Sequence, residues 1–80
     1  LHQVSITTES AAELSVIAAL TMVGFAKSNG DARRLIRGGG ARVNDSSISD
    51  ENTVISQADF NFGKVKISAG KKRHAVIIIE

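Results

Sequence analysis

The tightest constraint on what this chain can become lies at Gly38-Gly39-Gly40, where the apolar period changes from that of a helix to that of a strand. Before the glycines, Ala32, Leu35 and Ile36 recur at helical spacing, so that face must enter a core. Arg33, Arg34 and Arg37 are thereby left on the solvent side. Ser28, three residues ahead of Asp31, supplies a start: its hydroxyl can accept from an orphan amide, and Asp31 meets the positive end of the helix dipole. After the glycines, Ala41 and Val43 alternate with Arg42 and Asn44, the pattern of a half-buried strand that points Arg42 away from the core. The glycines themselves read as turn geometry rather than as a phosphate cradle.

On the N-terminal side, Val4 and Ile6 hint at a short leading strand, with residues 1–9 otherwise the end of a linker. Ser10 and Glu13 match a capping box. Leu14, Ile17, Ala18 and Thr21 share a helical face, widened by Val16, Leu20 and Val23, and Gly24 supplies a left-handed stop. One buried helix over about residues 11–22 is predicted. On the C-terminal side, Asn44–Ser47 is a turn, Ile48 begins a return strand and Val54-Ile55 is another short strand. Ser56–Asp59 caps a single helical turn, and Phe60 and Phe62 are expected in the core, as is Phe25. Val65 and Ile67 alternate with Lys64, Lys66 and Ser68, a strand with a basic outer face. Residues 69–72 form a turn, and Ala75–Ile79 is a β-prone final strand, expected to be central or covered on both faces. Helices followed by short strands make an α+β domain over residues 10–80.

Charge is more informative in its layout than in its sum of +2 over 80 residues. Residues 27–42 hold Lys27, Arg33, Arg34, Arg37 and Arg42 against Asp31, a net +4; residues 64–74 hold Lys64, Lys66, Lys71, Lys72 and Arg73 with no acid, a net +5. The stretch between them is acidic, with Asp45, Asp50, Glu51 and Asp59. Folding could bring the two basic blocks together as a surface for polyanions.

Other chemistries fail on spacing. A dinucleotide fingerprint needs a strand before its glycines, a helix after and a third glycine at position 43, which is Val43. Gly70-Lys71 lacks the glycine at 65 and the hydroxyl at 72 of a phosphate-binding loop, where Val65 and Lys72 stand. His2 and His74 have no partner at metal-ligand spacing, and no nucleophile motif supports a hydrolytic triad. There is no cysteine, which suits a reducing compartment, and no apolar run approaches the roughly 20 residues of a membrane span. Three phenylalanines without Tyr or Trp argue against base-stacking platforms, so any contact with a nucleic acid is expected to run through phosphates and helix shape. The chain opens on Leu1 rather than methionine and is read as part of a longer protein.

Ala26-Lys27-Ser28, Ala32–Ile36, Gly39-Gly40 and Arg42–Asn44 resemble the RNA-binding module named after small-subunit ribosomal protein S-four. Val65–Ile67, the Ala69–His74 run and the apolar final strand are similar to the extreme C-terminus of bacterial-type tyrosyl-tRNA synthetases. The resemblance implies two short N-terminal helices packed on a small mixed or antiparallel sheet of four to five strands. It implies an RNA surface made by Lys27, Ser28, Arg33, Arg34, Arg37, Arg42 and Asn44, with Lys71, Lys72 and Arg73 on a terminal basic turn. The implied partner is tRNA(Tyr), gripped at its variable arm and anticodon stem. No cofactor and no catalysis are expected of this segment, whose parent would be a homodimeric tyrosine–tRNA ligase in the cytoplasm, or in the mitochondrial matrix of a eukaryote. Asp45, where the family usually has glycine, sets a negative charge near the implied surface. The same module in a pseudouridine synthase or a heat-shock ribosome-binding factor is one alternative. A dimerisation domain pairing through the Ala75–Ile79 strand is another.

Overall fold

The computed structural model describes residues 2–12 and 14–80, arranged as three short helices on one face of a five-stranded mixed sheet. The strands are β1 (His2–Ile6), β2 (Ala41–Val43), β3 (Ser46–Ser47), β4 (Lys64–Ala69) and β5 (Arg73–Ile79), in the order β1-β5-β4-β2-β3. β1 runs parallel to β5, and every other pairing is antiparallel. The α+β architecture inferred from the sequence is the one observed. The leading residues are more than the end of a linker: five of them form an edge strand paired with β5 from His2↔Ala75 to Ile6↔Ile79.

The single helix predicted over residues 11–22 is two. α1 (Thr8–Ala12) starts under Thr7, whose hydroxyl accepts from the Ser10 N–H at 3.2 Å, so Thr7 rather than Ser10 takes the capping role. Glu13, the other half of the predicted capping box, lies outside the described residues. α2 (Val16–Met22) starts afresh under Ser15, whose hydroxyl accepts from the Ala18 N–H at 3.0 Å. Between the helices the backbone is committed elsewhere: Leu14 C=O accepts from Ile55 N–H at 2.7 Å, and Val16 N–H donates to Thr53 C=O at 3.1 Å. The predicted Val54-Ile55 strand is consequently a bridge to Ser15 rather than a member of the sheet. The restart resets the helical phase, so Val16, Ala19, Leu20 and Val23 are buried while Ile17, Ala18 and Thr21 lie at the margin.

α3 (Asn29–Arg37) follows the predicted helix closely. Both long-chain stops are Schellman motifs. Gly24 N–H donates to Thr21 C=O and Phe25 N–H to Leu20 C=O; Gly39 N–H donates to Ile36 C=O and Gly40 N–H to Leu35 C=O. Gly39 sits at φ +75°, so it alone of the three glycines supplies backbone that other residues resist.

The core lies between the helices and one sheet face, centred on Leu20, Ile36, Ile55, Ile67 and Ile77, all essentially inaccessible. The return strand is Ser46–Ser47, ending just before Ile48, which packs half-buried on the core. Asp59 does close the turn at Ser56, its carboxylate accepting from the Ser56 N–H at 2.9 Å. Phe60 is half-buried on the core, but Phe62 is fully exposed, at φ +53° in the tight loop before β4, contrary to its expected burial. β5 is interior by pairing yet covered on one face only, leaving Val76 and Ile78 partly exposed on the other. Because β1 and β4 flank it, its backbone edges are occupied, and the dimerisation alternative loses the free edge it needed. No helix among the described residues is long and apolar enough to cross a membrane.

Candidate nucleic-acid interface

α3 carries the first basic group. The extended Ser28 accepts from the Asp31 N–H at 3.2 Å, which fixes where the helix begins and hence which way its arginines point. Ala32 and Ile36 are fully buried and Leu35 half-buried, so Arg33, Arg34 and Arg37 emerge on the far side. They are not equivalent. Arg33 has no carboxylate partner among the described residues. Arg34 lies 3.8 Å from Asp31, an open pair of small worth. Arg37 is held by Glu51, with Nη2 at 2.8 Å and Nε at 3.0 Å from the same oxygen.

The second basic group reaches the first at one end of the sheet. Gly70 N–H donates to Gly40 C=O at 2.8 Å, joining the terminal basic turn to the glycine hinge. Arg73 stretches across to the connection between α2 and α3. Its Nη1 donates to Phe25 C=O at 3.3 Å, and its guanidinium carbon lies 5.5 Å from the Phe25 ring centroid. Lys27, Lys71 and Lys72 are exposed around this junction. His74 stands beside it, bonded through Nδ1 to the buried Ser68 hydroxyl at 3.0 Å and through Nε2 to Lys71 C=O at 3.2 Å. These bonds tie the basic turn to the sheet.

The remaining sequence-derived residues fall elsewhere. Arg42 is exposed on the sheet face turned away from the helices, in register with Ser68 and, through it, His74. Asn44 is spent internally. Its amide donates to Asp59 C=O at 2.6 Å, its Oδ1 accepts from Lys66 N–H at 3.1 Å, and its own N–H donates to Lys66 C=O at 2.9 Å. Asn44 therefore shapes the hairpin rather than offering a free side chain. Asp45 follows it at φ +69°, completing a two-residue turn with positive φ at both positions. Its carboxylate lies 3.0 Å from Lys66 Nζ, so the charge that seemed out of place neutralises a lysine of the open sheet face.

Lys64 and Lys66 stand on the open sheet face, as their alternation with Val65 and Ile67 predicts. One feature escaped the sequence reading. Phe25, read as a core residue, is half-buried and borders a shallow depression of about 400 Å³ lined with Lys27, Asp31, Arg34 and Leu35. Only its contact with Arg73, a long-range one, could have revealed that role.

Comparison with known proteins bears on this surface. A family model described as the tyrosine–tRNA ligase SYY-like C-terminal domain matches residues 1–77. A tyrosine–tRNA ligase of Methylocella silvestris is 44% identical over 69 residues, 86% of this chain and 16% of that protein. The tyrosine–tRNA ligase of Gluconobacter oxydans is 54% identical over 54 residues, 68% of this chain and 13% of that protein. That of Bartonella quintana is 51% identical over 63 residues, covering 78% and 15% respectively. The chain thus spans about one-sixth of the length of these curated relatives.

Proposed function

We infer the function from one premise, that this chain belongs to the tyrosine–tRNA ligase SYY-like C-terminal domain family: it is the tRNA-binding module of such a ligase, and its RNA is tRNA(Tyr). The observation that carries the reading is the junction of the two basic blocks. They are separated in sequence by an acidic stretch, and they meet through the Gly70–Gly40 hydrogen bond and the reach of Arg73 to Phe25. In this reading the RNA meets Lys27, Ser28, Arg33, Arg34 and Arg37, on or beside α3, together with Lys71, Lys72 and Arg73 of the turn bonded to the end of that helix, and Arg42 from the open sheet face. Exposed guanidinium and ammonium groups on short, well-capped elements suit the RNA backbone, where charge and shape rather than base sequence set most of the affinity.

The mechanism is positional. The module holds the body of the tRNA while an active site elsewhere in the parent ligase receives the acceptor end, so the chemistry of charging is done by other residues. Its place of action is the cytoplasm, in keeping with the bacterial relatives.

Binding to a tRNA(Tyr) transcript measured across a salt series tests this. With about six phosphate contacts, log K falls against log salt with a slope of roughly −4 to −5, and affinity near physiological salt is on the order of micromolar or weaker. A flat salt response, or no binding at low salt, removes the function.

A further inference from the structure

The depression beside Phe25 differs in character from the basic surface around it. Phe25 and Leu35 form apolar walls, and Lys27, Asp31 and Arg34 complete the lining. The placement of the ring is built rather than incidental. Gly24 in left-handed backbone stops α2, the Phe25 N–H closes the Schellman motif on Leu20, and the Arg73 guanidinium lies over the ring. A cation on the ring and cations on the rim favour an anionic ligand. The apolar walls do not suit phosphate, and neither does the Asp31 carboxylate, which would repel it. Asp31 lies 3.8 Å from Arg34, too far for a hydrogen bond, so its oxygens can still accept.

A nucleotide fits all of these terms together. We propose that this depression takes one unstacked base of the bound RNA, laid against Phe25 and Leu35. Lys27 and Arg34 meet the flanking phosphates, and Asp31 accepts from an N–H edge of the base. The proposal rests on the RNA-binding reading and adds a base-level contact to one otherwise made of phosphate and shape. A single partly buried ring does not make a platform for successive bases, but its exposed part is sufficient for one.

The chain contains neither Trp nor Tyr, so a Phe25→Trp variant carries a single fluorescent reporter at the site. Titrated with a tRNA(Tyr) transcript, its emission is expected to be quenched; a fully paired RNA duplex of similar length binds through charge and leaves the emission unchanged. In parallel, Phe25→Leu is expected to weaken tRNA binding roughly five- to a hundredfold, as loss of one aromatic stack does, without altering the salt slope or the affinity for duplex. Equal quenching by both RNAs, or a loss of less than about twofold in a Phe25→Leu variant that melts as the parent chain does, overturns the base site. Salt-dependent tRNA binding would then still stand. If the unmodified chain binds neither RNA, it is the RNA-binding function that fails.

Discussion

At the scale of single residues, the arginines of α3 are ranked by what they already hold. Arg33 is free of carboxylates among the described residues, whereas Arg37 shares two bonds with one Glu51 oxygen. Arg33→Ala should therefore reduce the magnitude of the salt slope by about 0.7–0.9, the share of one phosphate contact. Arg37→Ala should reduce it less. Glu51→Gln should strengthen binding at low salt by releasing Arg37. Filter binding of the three variants across salt concentrations reads all of these, and an equal effect of Arg33→Ala and Arg37→Ala would contradict the ranking. Asp45 makes a similar case. Asp45→Gly removes a surface ion pair worth about 0–1 kcal/mol and relieves a non-glycine residue at positive φ, so stability should change by no more than about 1 kcal/mol. The same change frees Lys66, and tRNA affinity at low salt should rise. Asn44 is the reverse example: its type and position read as RNA-facing, yet both ends of its side-chain amide and its backbone N–H are engaged within the fold.

At the scale of elements, helix ends matter more than helix interiors. Gly39 closes α3 in left-handed backbone with open space where a Cβ would lie, so Gly39→Ala meets conformational strain and no clash. A loss of about 1–2 kcal/mol is expected, lowering the melting temperature by roughly 4–8 °C for each kcal/mol. Gly30→Ala, on the exposed first turn of the same helix, should instead be neutral or stabilising by up to about 1 kcal/mol. Calorimetry of the pair separates backbone conformation from mere loss of glycine. α3 was legible because its cap, its apolar spacing and its glycine stop all agree. The first helical region was not, because its apolar residues fit an unbroken helix. What divides it is a tertiary event, the bonding of Leu14 and Val16 to residues 53–55, about forty positions away. Local periodicity carries no trace of that partner.

At the scale of the whole molecule, β1 does more than lead the chain in. It covers the backbone edge of β5 along five residue pairs. Deleting residues 1–6 exposes a long, apolar edge strand, and such edges recruit other chains. Sedimentation velocity should show concentration-dependent self-association of the truncated chain and a monomer for the intact one; a truncated chain that stays monomeric would mean another element guards that edge. The sequence by itself determined the α+β class, the basic helix with its cap and hinge, and the two cationic blocks, because each rests on neighbours a few positions apart. Only the tertiary structure decided how those blocks meet, that Asn44 and Asp45 serve the hairpin, and that Phe25, packed at the margin of the core, lies beneath Arg73. Those outcomes depend on strand register and on contacts between distant residues, and the energies that select them belong to the folded chain as a whole.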